Sequence, residues 1–393
     1  MKNHSKKLII GIMSGTSMDG VDGSILTING DDFYLDPKHK SVSNKIPNKT
    51  KDQIKSLLIK GDDELHRASI VAIDIAKLYS QVVKKLLAQN NLHPKDILAI
   101  GAHGQTVRHQ PNINQYSKKY RYSIQLLNPH YLAEEIGITV VYDFRGRDLA
   151  AGGQGAPLIP AFHQAIYQNL LSQGKLFKNK PLAFLNIGGM ANLTFCQSNR
   201  FVGFDSGPGN YLLDSWFNYL KGKAYDKNGN FAKKGEVNQK LLKLISKHPF
   251  FLKKPPKSCG TEDFNFQWIW ENIKKSKLPI DDLQTGRDIQ ATLTELTANS
   301  ISESISKISI SYSNKLHKII IFGGGVQNKF LLSRLNSKLK NYELIPSDNI
   351  GFPAKHMESN AFAWLAWQRI NNKPINLSSV TGTKGSRVLG VVC

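Results

Sequence analysis

Three short segments combine glycine with hydroxyl or carboxylate side chains in patterns suited to phosphate and polyol chemistry. The first is Gly11-Ile-Met-Ser-Gly-Thr-Ser-Met-Asp-Gly-Val-Asp22, in which Gly15, Thr16, Ser17, Met18, Asp19, Gly20 and Val21 form a turn leading to Asp22. Glycine lets the backbone approach a ligand closely, and the N–H and hydroxyl groups can cradle phosphate oxygens without a Walker lysine. Asp19 and Asp22 can hold Mg²⁺ through waters, because this ion keeps several of them when bound. Asp19 is the residue assigned to the metal. The same run also reads as an ordinary glycine-rich hairpin turn.

The second segment is Gly203-Phe-Asp-Ser-Gly-Pro-Gly-Asn210. Asp205 is expected at the C-terminal end of a strand, where α/β folds bind ligands and where a carboxylate can act as general base. Its plainer reading is an Asp capping the following turn. The third, Asp143-Phe-Arg-Gly-Arg-Asp148, runs into the glycine loop Ala150–Pro157. Arg145, Arg147 and Asp148 there suit a carboxylate-bearing or polyhydroxy ligand, or else a surface ion-pair cluster. Gly188-Gly189 and Gly323-Gly324-Gly325 directly follow strand-like runs, as nucleotide contacts or as tight turns. His103 is a polar contact or a core histidine. Glu358 opens the last helix, either complementing the helix dipole or hydrogen-bonding a sugar.

Alternating strands and helices must position these groups. Strand Lys7–Met13 and extended run Asp22–Thr27 predict a hairpin, and Glu64–Gln89 has helical apolar spacing. Strand Ile97–Ala102, polar turn His103–Thr106, helix Tyr131–Ile136, strand Ile138–Asp143 and helix Pro160–Leu171 complete one α/β unit. After a polar junction at Leu171–Lys180 the pattern restarts with strands Leu182–Ile187, Asn192–Cys196 and Phe201–Phe204 and helix Tyr211–Tyr219. It ends with helix Asp288–Ile308, strand Lys318–Phe322, helix Lys329–Leu339, strand Glu343–Ile345 and helix Met357–Arg369. The fold class predicted is α/β, two similar lobes facing across a cleft. Residues 1–175 form the first lobe, with the tail 372–393 packing back on it, and residues 176–371 form the second.

Composition removes several alternatives. The 393 residues are 40% hydrophobic and 21% charged, which excludes a disordered or low-complexity chain. No window reaches the ~18 apolar residues of a membrane helix. The apolar start breaks at Ser14 and Gly15, short of a secretory signal. The three cysteines, Cys196, Cys259 and Cys393, are too scattered for a disulfide framework or zinc site. A cytoplasmic protein is expected. The net charge of +22 invites a nucleic-acid reading, but only 10 of the 52 basic residues are arginines. The lysines, Lys118 and Lys119 among them, are dispersed, and no recognition motif accompanies them. Neither a nucleic-acid nor a membrane partner is expected. No Walker A, GxGxxG, HExxH, GxSxG or HRD pattern is present.

Taken together, GIMSGTSMDGVD, HGQT, DFRGRDLAAGGQGAPLIPAFH, NIGGMANLT, FDSGPGN, GGG and ESNAFAWLAW occur in an order that strongly resembles the anhydro-N-acetylmuramic acid kinases, nearly end to end. The resemblance implies the two-lobed fold shared by sugar kinases, actin and Hsp70, with ATP and Mg²⁺ between the lobes. It implies conversion of 1,6-anhydro-N-acetylmuramic acid to N-acetylmuramic acid 6-phosphate, a step of peptidoglycan recycling, and a homodimer. It places the phosphates on Gly15–Asp22, the adenosine side near Gly188, Gly189 and Gly323–Gly325, and the water-activating role on Asp205. His103, Arg145, Arg147, Asp148 and Glu358 become sugar contacts. The chain departs from the family's pattern at Gly146, where a third arginine is common, and at Cys259 and Thr261, where Thr and Arg are commoner. Met13 also stands where actin-like kinases generally keep a metal-associated Asp.

Overall fold

The computed structural model describes residues 6–111, 120–176, 180–198, 200–255, 257–280, 282–311 and 316–393. Lys118, Lys119, Pro256 and residues 177–179 of the expected junction lie outside them. The chain forms two compact units, one made of Met1–Gln173 with His356–Cys393 and the other of Gly174–Lys355.

The first unit opens with β1 (Lys7–Ser14), β2 (Gly20–Asn29), β3 (Asp32–Tyr34) and β4 (Val42–Lys45), followed by α1 (Asn48–Ser56) and α2 (Glu64–Gln89). Then come β5 (Ile97–Ala102), β6 (Gln105–Gln110), β7 (Tyr122–Leu126), α3 (Pro129–Ile136), β8 (Val140–Tyr142), α4 (Gly146–Ala150) and α5 (Ile159–Ser172). The second unit holds β9 (Leu182–Ile187), β10 (Met190–Gln197), β11 (Arg200–Pro208), α6 (Tyr211–Lys221), α7 (Gln239–Ile245) and α8 (Phe266–Ser276). It continues with α9 (Leu283–Ser311), β12 (Lys318–Phe322), α10 (Lys329–Lys338) and β13 (Glu343–Pro346). The chain then returns to the first unit with α11 (Met357–Ile370) and β14 (Val391–Val392).

One strand order serves both units. In the first, β3-β2-β1 is an antiparallel meander, and β5 and β8 extend it in parallel from β1. In the second, β11-β10-β9 is the meander, with β12 and β13 extending in parallel from β9. The restart of the pattern in the sequence is thus a repeat of topology. The first sheet also gains β14 antiparallel to β8 and β4 antiparallel to β2.

The long helices sit where their apolar stripes require. Val71, Ile75, Leu78, Tyr79, Val82 and Leu86 of α2 recur at helical spacing and pack with Ile10, Ile12 and Ile100 of the first sheet. In the second unit, Ala298, Ile301 and Ile305 of α9 join Leu185, Phe195 and Ile319 of the sheet. Trp216, Phe250, Phe264 and Leu293 belong to a separate hydrophobic cluster. Among the described residues no helix is long and apolar enough to cross a membrane.

Two findings differ from the sequence reading. The turn expected at His103–Thr106 is brief, because Gln105 starts strand β6, which pairs with β7 as a separate ribbon. Helix α11, placed by the sequence in the second lobe, belongs to the first unit. The reason is steric. A Cβ on Gly11 would lie 1.8 Å from Ser359 O, and one on Gly101 would lie 2.0 Å from Phe362 O. The helix backbone therefore rests directly on β1 and β5 through two missing methyl groups. Ser24 Oγ fixes its rotation, lying 2.7 Å from Ser359 Oγ and donating to Asn360 Oδ1 at 2.6 Å.

Gly11→Ala and Gly101→Ala are each expected to cost about 2–4 kcal/mol in urea unfolding, by forcing helix and strand apart. Gly15→Ala, whose Cβ would meet nothing nearer than 3.7 Å, should stay within about 0.5 kcal/mol of the parent. Equal costs at all three positions would refute the contact.

Candidate active site

The β1–β2 connection is anchored from within. Ser14 Oγ lies 2.9 Å from Tyr79 Oη and donates to Gly104 O at 3.3 Å. Gln105 Nε2 donates to Gly15 O at 3.2 Å, and Met18 N–H closes the turn onto Gly15 O at 3.1 Å. Met18, at φ 56°, is buried under this turn while Thr16, Ser17 and Asp19 are exposed. Gly20 and Val21 already belong to β2, and a Cβ on Gly20 would press on Asn44 O at 2.8 Å. Asp22 is half-buried and accepts a hydrogen bond from Ser43 Oγ. No group of three or more His, Cys, Asp or Glu among the described residues is arranged to hold a metal. Asp19 thus offers one free carboxylate beside an open turn, which suits an ion arriving with phosphate ligands rather than one caged by protein.

A second constellation of the first unit surrounds Arg145. Its Nη1 donates to Gly155 O at 2.7 Å, and its Nη2 lies 2.8 Å from His103 Nε2. His103 Nδ1 lies 2.7 Å from Gly104 O, a pure acceptor, so Nδ1 carries the proton and Nε2 accepts from Arg145. The ring is neutral. Burial, with Arg145 adding to it, pushes its pKa down to about 3. The guanidinium itself is lowered to about 10 by burial, with Glu358 and Asp148 opposing the shift. Glu358, in the first turn of α11, has its pKa raised by burial and by Asp22, while Arg145 pulls it down. Asp22, Glu358, Arg145 and His103 therefore form one electrostatic cluster.

Two expected sugar contacts stand elsewhere. Asp148 is fully buried. Its Oδ2 accepts from Gly155 N–H at 2.7 Å and its Oδ1 from Thr381 Oγ1 at 2.8 Å, so it shapes the glycine loop instead of facing a solute. Arg147 is exposed and lines a depression with Arg369 and Arg387, whereas His103 lines a different cavity of about 390 Å³. Side chains two residues apart on a helix point to opposite sides, which parts Arg147 from Arg145. Gly146 stands where the family commonly has arginine, and a side chain there would need the Asp143 carboxylate to turn aside. Its N–H donates to Asp143 Oδ1 at 2.9 Å, and a Cβ would come within 2.5 Å of Asp143 Oδ2.

In the second unit Asp205 lies inside β11, not at a strand end as expected. The register with β10 slips between Ala191 and Asn192, leaving Ser206 as the extra residue of a bulge beside Asp205. Bulges of this kind re-aim neighbouring side chains. The Asp205 N–H donates to Lys257 O, and Cys259 N–H donates to Asp205 Oδ2, both at 2.9 Å. Burial raises its pKa to about 6, with Glu262 and Asp263 adding to the rise, while the Cys259 N–H and Lys257 oppose it. The departure at Cys259 leaves this contact intact because a backbone group makes it. The sequence reading marks Cys259 only as a departure from the family's pattern and assigns no role to it or to Lys257.

The glycine turns converge near this strand. Asn210 N–H donates to Gly188 O at 2.8 Å, and Gly209 and Tyr211 N–H donate to Gly189 O at 2.9 and 3.1 Å. Gly323, at φ 87°, and Gly325 pack against Asn186 and Ile187, where a Cβ would clash at 2.3 and 2.2 Å. Gly188, Gly189 and Gly324 leave room, with no atom nearer than 3.5 Å to an added Cβ.

The family model described as anhydro-N-acetylmuramic acid kinase matches residues 7–393. The chain belongs to the anhydro-N-acetylmuramic acid kinase family. A relative of that name from Pseudomonas savastanoi pv. phaseolicola is 42% identical over 385 residues, covering 98% of each chain. Another, from Bordetella pertussis, is 40% identical over 391 residues, covering 98% of this chain and 96% of its own. A ROK family glucokinase from Streptomyces griseus, solved with glucose and AMPPNP, overlaps at TM-score 0.40 and 11% identity, covering 92% of this chain and 99% of that one. As a member of the anhydro-N-acetylmuramic acid kinase family the chain is a kinase of the α/β class, with mixed sheets covered by helices.

The neutral His103 has a consequence for stability. An unfolded imidazole titrates near 6.5 and the folded one near 3, so below pH 6.5 the unfolded chain binds the extra proton. Stability is therefore full above pH 6.5 and falls as pH drops toward 3. In urea titrations His103→Gln should flatten this acid slope by up to about 1.4 kcal/mol per pH unit. Identical slopes would overturn the neutral assignment.

Proposed function

We propose that this kinase uses ATP and water to open the 1,6-anhydro bridge of 1,6-anhydro-N-acetylmuramic acid and to phosphorylate O6. The products are N-acetylmuramic acid 6-phosphate and ADP, a step in recycling cell-wall material. Family membership supports the substrate, and the environment of Asp205 carries the mechanism.

The accepting oxygen O6 is bonded to the anomeric carbon in the starting sugar, so no hydroxyl proton is available for removal there. Asp205 instead takes a proton from a water that attacks C1. The C1–O6 bond breaks as the new C1–O bond forms, and O6 receives the γ-phosphoryl group of ATP while ADP leaves. A carboxyl with pKa about 6 is mostly ionised at neutral pH, yet basic enough to accept that proton. The bulge and the Cys259 N–H hold it in a fixed direction.

Phosphoryl transfer depends chiefly on positioning and on stabilising charge. The Gly15–Asp22 turn receives the phosphates, with Gly15, Thr16 and Ser17 toward them. Gly188, Gly189 and Gly324 leave backbone exposed toward the nucleoside, and Gly323 and Gly325 fix that turn. Mg²⁺ would be held by Asp19 together with phosphate oxygens and would neutralise charge on the transferring group. Asp22, Glu358 and Arg145 orient sugar hydroxyls, with His103 locking the Arg145 fork. We further propose a cytoplasmic homodimer, which rests on family resemblance alone; a light-scattering mass of about 44 kDa would exclude the dimer.

Asp205→Asn should lower kcat by about 10²–10⁴-fold while leaving ATP affinity within a few-fold. In the parent enzyme kcat should fall as pH drops through about 6, where Asp205 becomes protonated. Reaction in ¹⁸O-water with mass analysis should place one heavy oxygen at C1 of a product that has gained both water and phosphate. A product carrying phosphate without water would favour a kinase acting on a free hydroxyl.

A further inference from the structure

A depression of about 810 Å³ in the first unit is lined by Arg147, Arg369 and Arg387 together with Asp143 and Gly390. Among the described residues its lining holds three of the chain's ten arginines and no lysine, although lysine dominates the basic residues. Lysine scattered over a surface keeps a protein soluble; a guanidinium fork matches the paired oxygens of phosphate or carboxylate. Among the described residues none of the three forms an ion pair.

Two of the forks are nevertheless held in place. Arg369 Nε donates to Gly390 O at 2.9 Å and its Nη1 to Asn372 Oδ1 at 2.8 Å. Arg387 Nη1 donates to Ser386 O at 2.8 Å, and its backbone pairs with Ile375. These partners are neutral, so they fix direction without cancelling charge. The one acidic side chain of the lining, Asp143, already accepts from Gly146 N–H. Three like charges facing one hollow repel each other, and an anion would relieve that repulsion.

We propose that this depression binds a small, multiply charged oxyanion, a phosphate ester or a polycarboxylate. The inference does not depend on the sugar substrate. The full-length protein is titrated by calorimetry with pyrophosphate and, separately, with citrate, at physiological ionic strength. A non-hydrolysable ATP analogue is kept saturating so that any phosphate cradle is already filled. Saturable binding of pyrophosphate alone identifies phosphate esters as the class, and of citrate alone polycarboxylates. Arg387→Ala, which spares the backbone pairing, should weaken binding about tenfold. Arg369→Lys keeps the charge but loses the fork, and should also weaken it, with thermal midpoints confirming that both variants fold. No saturable binding of either anion, or binding that both variants leave unchanged, overturns the proposal; the second result would assign the anion to the lysine-rich surface.

Discussion

The contact on which the first unit depends is the direct approach of helix α11 to strands β1 and β5 at Gly11 and Gly101. Side chains at those positions would hold helix and sheet about 10 Å apart, the ordinary spacing of packed layers. Removing them lets peptide groups touch, so the helix has little freedom to slide. Its alanines Ala361, Ala363 and Ala366 are fully buried. The first turn of α11 carries Glu358, and the strand paired with β1 carries Asp22. The upward push of Asp22 on the Glu358 carboxyl follows from that packing.

Burial and hydrogen bonding then decide what each charged group can do. Arg145 stays protonated because Glu358 and Asp148 support it, and its fork leaves His103 as an acceptor at Nε2. Asp148 has the same chemical type as Asp205 but a different fate. Both oxygens of Asp148 are engaged by internal donors. Among the described residues Asp205 has an internal donor on Oδ2 alone, on a strand whose regular alternation is broken beside it. The contrast lies in surroundings, not in residue identity.

The sequence was readable where chemistry is local. The 26-residue helix α2, the strands rich in Ile and Leu, and the glycine turns after strands follow from periodicity and turn propensity. What escaped depends on neighbours distant in the chain. Ribbon β6–β7 has half-exposed strands with no long apolar pattern, so Gln105 read as a turn. The assignment of α11 rests on glycines more than 250 residues away, whose purpose appears only when a backbone lies on them. The side of α4 that Arg147 takes could not be separated from that of Arg145 without knowing that 146–150 is helical. Asp205 was picked out by its motif, but the bulge and the Lys257–Cys259 support arise from pairing.

The glycine loop after α4 is stitched to the C-terminal segment. Gln154 N–H donates to Thr381 O, Lys384 N–H to Ala151 O, and Thr381 Oγ1 to Asp148. Together with α11 these partners are encoded after the whole of Gly174–Lys355. During synthesis on the ribosome, at ~5–20 residues per second, the amino-terminal sheet must therefore wait roughly ten to forty seconds with its glycine-lined face uncovered. For that interval the nascent chain exposes an unfinished layer, the kind of surface that chaperones shield, while the intervening unit can already fold from contiguous sequence.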